Sequence, residues 1–400
     1  MYDNANTSKT IISSDRVKVD FRNLHTLAIT LKISERCNLD CDYCYFFNAG
    51  DDSYETHSAL ISQDTINVLV GRLKEFAAEY ELRRIVIHLH GGESLLMPKD
   101  RFNSICEEIR SNLDPVVDLA LTVQTNAMLI DLEWIEIFRK YGIQVGISLD
   151  GAQKHNDVHR RDHQGRSSYE ATARGIKLCQ KNLQQSPMIL SVVDEKFDAK
   201  EIYTHFREDL GVDHFDFLLP DMNHDNFDGN AEAYGDFLID IFDQMVNDDD
   251  SVNVRIIDHF LARIYGYGNF LFSSERYTPE NLLVTVSSEG GMGPEDTIRS
   301  TKFWSGYEYR DVKETSIGEV IQDPIFQDFV YGKNTPATAC TDCCWRDVCG
   351  SGQPEHRYGS EGGFDNPSVY CAGLDKFYTH VVRYLALQGE SLSTLSAELV

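Results

Sequence analysis

Three cysteines stand close together near the start of the chain, at Cys37, Cys41 and Cys44, with the spacing C-x3-C-x2-C. Zinc in a structural site wants four ligands, which typically come from paired C-x2-C units. Thiolates also hold iron–sulfur clusters, and a cubane with three protein ligands leaves one iron open to a chelating ligand. The spacing therefore predicts a [4Fe-4S] cluster with one open iron. Three buried or zinc-bound cysteines are the alternative.

A second group of cysteines lies towards the C-terminus, where Cys340, Cys343 and Cys349 form C-x2-C-x5-C and Cys371 follows. Four thiolates could hold zinc or an iron–sulfur cluster. Beside the first cluster site, an auxiliary iron–sulfur cluster is the interpretation that we favour. Of the three remaining cysteines, Cys344 is interpreted as a spare thiol, and Cys106 and Cys179 are interpreted as core residues.

These cysteines must be positioned by a scaffold in which strands and helices alternate between residues 25 and 221. The predicted strands are His25–Ile33, Arg84–His90, Val117–Thr125, Ile143–Leu149, Pro187–Val193 and Val212–Leu218. The predicted helices are Gln63–Tyr80, Asp100–Asn112, Asp131–Tyr141, Ser168–Leu183 and Lys200–Leu210. Strand–helix units of this kind form parallel sheets with right-handed crossovers. Because six units are too few for a closed eight-stranded barrel, the sequence predicts an α/β fold with a partial (β/α)6 barrel.

Polar residues follow the predicted strands at the ends where such barrels keep their chemistry. The three-cysteine loop follows the first strand, and His90-Gly91-Gly92-Glu93 follows the second. Gln124-Thr125-Asn126 closes the third strand, Ser148 lies at the end of the fourth, and Asp221 follows the sixth. Two glycines let a backbone approach a ligand closely, and a glutamate can accept hydrogen bonds from an ammonium group. We expect these residues to share one face of the barrel.

The cysteine loop, with the aromatic Tyr43 before its last cysteine, resembles the signature of the radical S-adenosylmethionine (SAM) enzymes. Gly91-Gly92-Glu93 is similar to the GGE motif of that family. The resemblance implies that the open iron binds the amine and carboxylate of SAM. It also implies that an electron from the cluster splits SAM to a 5′-deoxyadenosyl radical.

The same resemblance implies SAM-binding roles for residues of the barrel. Glu93 is expected to hold the SAM amino group and Ser148 to contact the ribose. Arg160 is expected at the SAM carboxylate, a role that suits a bidentate guanidinium, with the adjacent Arg161 as the alternative. The remaining predicted cofactor-binding residues are Tyr43, His90, Gly91, Gly92 and Asn126. For His90 a core or turn position is the alternative, and for Asn126 a turn-forming position.

The C-terminal cysteines resemble the SPASM domain of peptide-modifying radical SAM enzymes, which usually holds two auxiliary clusters. In the usual pattern, C-x2-C-x5-C-x3-C, three residues separate the third cysteine from a fourth. Here the third cysteine is Cys349, and Gln353 occupies the position of the fourth. The stretch Val284–Ser300, where the family has upstream ligands, contains no cysteine. The resemblance therefore implies that only the second auxiliary cluster survives, held by Cys340, Cys343, Cys349 and Cys371. We expect two [4Fe-4S] clusters per chain rather than three.

Two segments, Gly211–Pro220 and Gly363–Cys371, are similar to the maturases that form three-residue cyclophanes in ribosomal peptides, such as darobactin-type and xenorceptide-type enzymes. This similarity implies a carbon–carbon crosslink between an aromatic ring and a β-carbon of a precursor peptide, after hydrogen abstraction by the 5′-deoxyadenosyl radical. The implied partners are that peptide and an electron donor such as flavodoxin or ferredoxin. Loss of the ring proton needs a base, for which Asp221 and Asp365 are candidates; cap or turn roles are the alternatives.

The sequence is also compatible with other functions. The nearest are a formylglycine-generating maturase of the anaerobic sulfatase type and a thioether-forming maturase. The missing ligands of the first auxiliary cluster and the Asn366-Pro367-Ser368 tail count against both. A non-catalytic zinc protein that binds partners through its C-terminal cysteines is the alternative from a different class.

The composition of the chain limits its possible partners and its location in the cell. The net charge is −27, from 37 basic and 64 acidic residues, and this disfavours nucleic acid, whose phosphates need a basic surface. There is no long apolar run and no signal peptide, so we expect a cytoplasmic protein without a membrane span. The predicted divisions are an N-terminal extension (1–24), the barrel (25–225), an acidic helical linker (226–284) and the SPASM-like domain with a C-terminal helix (285–400). The acidic stretch is interpreted as a solvated face, or else as a docking surface for a basic peptide.

Overall fold

A computed structural model describes residues 21, 23–265, 281–303 and 307–390 of the chain. Most of the predicted N-terminal extension, residues 266–280 of the predicted linker and the last ten residues of the predicted C-terminal domain lie outside the described residues. The strands are β1 Thr26–Ser34, β2 Arg84–Gly91, β3 Asp118–Thr125, β4 Ile143–Ser148, β5 Met188–Val192, β6 His214–Leu218, β7 Asn253–Val254, β8 Asn281–Val286, β9 Gly291–Gly293 and β10 Arg310–Asp311. They form one sheet in the order β10-β9-β8-β1-β2-β3-β4-β5-β6-β7.

The first six strands form the parallel barrel sheet that the sequence predicts. Neighbours from β1 to β6 pair in parallel, and every predicted boundary of these strands lies within two residues of the observed one. The helices that alternate with the strands are α1 Gln63–Glu79, α2 Lys99–Leu113, α3 Leu132–Tyr141, α4 Gln153–His159, α5 Tyr169–Asn182 and α6 Ala199–Thr204. The predicted α/β fold with a partial barrel is confirmed.

Helix α1 illustrates why these segments fold as they do. Ile66, Leu69 and Leu73 recur at helical spacing and are buried. The Ser62 side chain accepts a hydrogen bond from the backbone N–H of Thr65 and so caps the first turn. Strand β2 alternates instead with a period of two, burying every second residue from Ile85 to Gly91.

Strand β8 extends the barrel sheet on the other side of β1, which the sequence analysis did not predict. It pairs in parallel with β1, with Leu27 opposite Leu282, and its residues from Leu282 to Val286 are all buried. A strand covered on both faces shows no alternation of polar and apolar residues, so its pattern is weak. The predicted division between linker and C-terminal domain, at residues 284 and 285, cuts through this strand.

Most of the regular structure in the rest of the described residues is helical. Its helices are α7 Ala231–Val246, α8 Arg255–Ile264, α9 Ile317–Ile321, α10 Pro324–Asn334, α11 Arg346–Cys349, α12 Pro354–Arg357 and α13 Cys371–Leu387. Helices α7 and α13 approach closely at Gly235 and Gly373, where a Cβ on Gly373 would lie 2.0 Å from the Ala231 carbonyl oxygen. The buried stripe of α7, which includes Phe237 and Leu238, is core packing. No helix in the described part of the chain is long and apolar enough to cross a membrane.

Candidate active site

The three-cysteine loop leaves the end of β1 and is fastened to the segment after α4. The backbone N–H of Asp40 donates to the Arg161 carbonyl at 2.8 Å, and Leu39 forms an isolated antiparallel bridge with Asp162. The Cys41 side chain is buried, whereas those of Cys37 and Cys44 are partly exposed. The loop is thus held against the barrel at the carboxyl ends of the strands, as the sequence predicts.

Burial keeps the thiols of this loop protonated in the absence of metal. Desolvation raises the pKa of Cys37 to about 12 and that of Cys41 to about 11. Bound iron is the charge that stabilises thiolates in such surroundings, and its binding releases their protons. Arg160 lies near enough to lower the pKa of Cys41 against the larger effect of burial. Three thiols on one loop beside a cation fit a [4Fe-4S] cluster with one iron left for a further ligand.

The two glycines of the Gly91-Gly92-Glu93 turn are needed for packing within the protein. A Cβ on Gly91 would lie 2.0 Å from the Ser34 carbonyl oxygen, and one on Gly92 would lie 2.5 Å from that of Arg36. The backbone N–H groups of Gly92 and Glu93 donate to those same two carbonyls at 2.7 and 2.8 Å. The glycines therefore dock the turn onto the start of the cysteine loop, a contact that the sequence analysis did not predict.

Glu93 is buried, and its carboxylate is oriented by three hydrogen bonds. Oε1 accepts from the Thr125 hydroxyl at 2.6 Å and from the Leu95 backbone N–H at 2.9 Å. Oε2 accepts from the backbone N–H of Asn126 at 2.7 Å. A carboxylate has about four acceptor positions, so one direction stays open to an ammonium group. Burial raises the pKa of Glu93, and the hydrogen bonds oppose that rise.

Tyr43, Asp150 and Arg160 form one hydrogen-bonded group beside the cysteine loop. The Tyr43 hydroxyl donates to Asp150 Oδ2 at 2.6 Å and accepts from the Arg160 guanidinium at 2.8 Å. Arg160 is buried, whereas Arg161 is exposed and turns back to the Asp157 carbonyl. The structure thus places Arg160, and not Arg161, at the predicted cofactor site. Asp150, at the end of β4, is a member of this group that the sequence analysis did not assign.

The other predicted contact residues line the same strand ends. Ser148 accepts a hydrogen bond from Gln124 at 2.8 Å. The Asn126 side chain donates to Asn38 in the cysteine loop at 2.7 Å and accepts from the Met128 backbone N–H. Asn126 therefore joins the third strand to the cluster loop and also stabilises a turn, as the alternative interpretation predicts. A contact between Asn126 and the cofactor stays a prediction.

His90 faces a buried ion pair that the sequence analysis missed. Lys32 in β1 is fully buried and pairs with Asp296, which also accepts a hydrogen bond from the Tyr45 hydroxyl at 2.9 Å. The Lys32 ammonium lies 3.2 Å from His90 Nδ1. Burial, assisted by Lys32, lowers the pKa of His90 to about 3. A lysine inside the apolar run of β1 was the only sequence signal for this group.

The C-terminal cysteines come together around α11 and the start of α13. Cys340 is buried, Cys349 is half-buried, and Cys343 and Cys371 are exposed. Burial raises the pKa of Cys349 to about 12, and the charges of the other three cysteines add to that rise. The four thiols therefore lie close to one another. They fit one iron–sulfur cluster with four protein ligands.

The two predicted base candidates lie in different surroundings. Asp365 is exposed and accepts hydrogen bonds from the Thr338 backbone N–H and hydroxyl, at 2.6 and 2.9 Å, so it caps the turn that leads into Cys340. Asp221 is half-buried at the end of β6, and none of the described residues makes a hydrogen bond or ion pair with its carboxylate. Burial and the nearby charge of Glu355 raise its pKa well above the usual range. A catalytic role for either residue stays a prediction.

Known proteins give independent information about this arrangement. Residues 31–201 match the sequence model of the radical SAM superfamily. The serine-type anaerobic sulfatase-maturating enzyme of Bacteroides thetaiotaomicron is 23% identical over 391 residues, covering 90% of this chain and 90% of that protein. The cysteine-type enzyme of Clostridium perfringens strain 13 is 21% identical over 357 residues, covering 87% and 94%.

Solved structures agree with the family match. The structure of histidine-tagged anSMEcpe with bound AdoMet superimposes with a TM-score of 0.79 at 20% identity, covering 90% of this chain and 98% of that chain. Native anSMEcpe with AdoMet and the Cp18Cys peptide also has a TM-score of 0.79. This likeness extends the shared fold beyond the barrel to the C-terminal region. Residues 31–201, which match the radical SAM model, contain the cysteine loop and the glycine turn, so this part of the chain is a radical SAM domain, and the enzyme uses SAM and [4Fe-4S] clusters.

Proposed function

We propose that this enzyme is a maturase that modifies a side chain of a peptide or protein segment, in the manner of the anaerobic sulfatase-maturating enzymes. The observation that carries the proposal is the full-length likeness to those enzymes. Relatives named as serine-type and cysteine-type maturases are covered over about nine-tenths of their length, and anSMEcpe has been solved with a bound peptide. The product would then be a formylglycine made from a serine or a cysteine.

The residues of the barrel receive the following proposed roles. The carboxylate of Glu93, with one acceptor direction unused, binds the SAM amino group. Arg160, held by Tyr43, pairs with the SAM carboxylate, and Ser148 contacts the ribose. The cluster, when bound, supplies the electron that cleaves SAM and so starts hydrogen abstraction from the substrate. Because Tyr43 and Asp150 fix the guanidinium before SAM arrives, little side-chain freedom is lost on binding.

Cyclophane formation is the second candidate function, and the number and positions of the cysteines favour it. Gln353 replaces a cysteine of the usual SPASM pattern, and residues 284–300 contain none. The chain therefore has ligands for one auxiliary cluster beside the SAM cluster. We propose two clusters per chain for either function, with an auxiliary cluster that accepts an electron from the substrate or positions the peptide.

Product analysis separates the two functions. The reconstituted enzyme is incubated with SAM, a reductant and two peptide sets: sulfatase-derived segments containing the target serine or cysteine, and precursor peptides encoded near the gene. Formation of formylglycine from serine and of one crosslink both remove two hydrogens, so mass alone does not distinguish them. An aldehyde that reacts with a hydrazine supports the sulfatase-type function. A hydrazine-inert product with an aromatic-to-β-carbon bond in its NMR spectrum supports cyclophane formation. SAM cleavage without any change in either peptide set would overturn both.

A further inference from the structure

A second group of metal-ligating side chains lies apart from the cysteines, where the end of the barrel meets the C-terminal region. It consists of Asp221 after β6 and of Glu355 and His356 in α12. One ligand atom from each of the three residues lies within 4.8 Å of the others. Glu355 and His356 are buried. Segments more than 130 positions apart in the sequence thus converge at this point.

The imidazole of His356 distinguishes this group from an ordinary acidic cluster. His356 is only 1% exposed, and its Nε2 atom has no hydrogen-bond partner among the described residues. The Pro220 carbonyl lies near the ring and partly opposes the effect of burial on the pKa of His356. A neutral imidazole has one N–H donor and one lone pair, so Nε2 can bind a metal ion when the proton is on Nδ1. A buried ring nitrogen without a partner costs free energy unless a ligand occupies it.

The orientation of the ring is fixed by its neighbours. Tyr370 packs edge-on against it with 4.8 Å between ring centroids. The Tyr370 hydroxyl donates to the Pro220 carbonyl at 2.8 Å, which holds Tyr370 in place beside the ring. The edge-on packing of Tyr370 therefore holds the imidazole beside Asp221, which directly follows Pro220 in the chain.

The charges favour a cation at the same place. Asp221 has no hydrogen bond or ion pair within the described part of the chain, and Glu355, Glu295 and Asp296 all lie near enough to oppose its ionisation. Burial also lowers the pKa of His356 to about 3, so the imidazole is neutral at physiological pH. A neutral imidazole and two carboxylates form a nitrogen–oxygen ligand set. Such a set suits first-row divalent ions such as Zn²⁺, Mn²⁺ or Fe²⁺ rather than an iron–sulfur cluster, which prefers thiolates.

We propose that Asp221, Glu355 and His356 bind one divalent transition-metal ion, in a site separate from both cysteine groups. Ligand atoms of a tetrahedral site lie about 3.3 Å apart at the usual metal–ligand distances of about 2 Å. The three side chains therefore close around the ion by small rotations. A carboxylate that binds the ion is no longer available as a base, so this assignment replaces the predicted catalytic role of Asp221.

Manganese binding to the reconstituted holoenzyme tests the proposal. Mn²⁺ is titrated anaerobically at moderate salt after treatment with a chelating resin, and the free ion is followed by its six-line EPR signal. The oxidised [4Fe-4S] clusters are diamagnetic and do not interfere. We expect one Mn²⁺ per chain, displaced by Zn²⁺, and a spin-echo modulation from one directly bound ¹⁴N. Binding that is multiple, weak and lost with salt would reveal only the acidic surface, and binding without the ¹⁴N coupling would also overturn the proposal.

Three isosteric variants locate the site: His356→Gln, Asp221→Asn and Glu355→Gln. Each is expected to weaken Mn²⁺ binding at least about tenfold while keeping the iron content of the parent. His380→Gln is the matched control, because His380 also pairs with a carboxylate, Asp243 at 2.7 Å, but on the surface. Unchanged binding in any variant that retains its iron would overturn the assignment of that ligand. Because the experiment measures metal stoichiometry, its result does not depend on which peptide the enzyme modifies.

Discussion

The two cysteine sites of this molecule differ in what surrounds their sulfur atoms. The barrel site offers three thiols beside the buried groups Glu93, Asp150 and Arg160, each with a defined hydrogen-bonding geometry. The C-terminal site offers four thiols, two of them exposed. A cluster with four protein ligands is complete, whereas a cluster with three needs protein groups that hold its remaining ligand. The polar groups around the barrel site are therefore best explained by a bound small molecule rather than by the cluster.

Removing the barrel cysteines should have the largest effect. The Cys37/Cys41/Cys44→Ala variant is expected to lose all SAM cleavage and to drop from about eight irons per chain to about four, since one cubane remains. Iron and sulfide analysis and chromatography of 5′-deoxyadenosine provide the measurements. About twelve irons in the parent protein would reveal a third cluster and would contradict the prediction of one cluster at each cysteine site.

The docking of the glycine turn against the cluster loop should be nearly as sensitive. Gly91→Ala forces a methyl group onto the Ser34 carbonyl oxygen, and we expect a loss of about 3 kcal/mol in stability together with a lower iron content. Gly71→Ala is the control, because this helical glycine has nothing within 4 Å of its added Cβ. It should gain about 0.5–1 kcal/mol from the higher helix propensity of alanine. Thermal unfolding of both variants measures the contrast, and equal melting temperatures would contradict it.

The adjacent arginines sharpen the assignment of the small-molecule site. Arg160→Lys is expected to weaken SAM binding about tenfold to a hundredfold, because lysine cannot reproduce a bidentate guanidinium contact. Arg161→Lys should leave SAM affinity unchanged, since Arg161 is exposed and contacts the Asp157 carbonyl. Anaerobic calorimetry gives both dissociation constants. Equal losses in the two variants would mean that the SAM carboxylate binds elsewhere.

The smallest effect is expected at the spare C-terminal thiol. Cys344→Ser should retain all of the iron, whereas Cys349→Ser should lose about four irons, the content of one cubane. Cys344 is exposed and directly follows the predicted ligand Cys343, so an exchange of ligands between the two is the competing outcome. Iron content decides it: loss of iron in the Cys344 variant would make Cys344 the fourth ligand of the auxiliary cluster.

Much of the barrel could be predicted from the sequence because its signals are local. The cysteine spacing, the glycine turn and the alternation of strand and helix each lie within short stretches, and the six barrel strands begin and end within two residues of the predictions. Strand β8 escaped prediction because a strand buried on both faces lacks alternation. The group of Lys32, Tyr45 and Asp296 escaped because its members are as many as 264 positions apart and meet only through the sheet.

By itself, the sequence determined the chemistry: which thiols could hold iron, and which turn could face SAM. These properties follow from residue types and short spacings, which the chain carries into any fold that it forms. Only the tertiary structure decided which of two neighbouring arginines is buried beside the cluster loop, and that a buried histidine lies beside a carboxylate from a distant segment. Those outcomes depend on contacts between distant segments, because burial and hydrogen-bond partners set the charge state and orientation of each side chain.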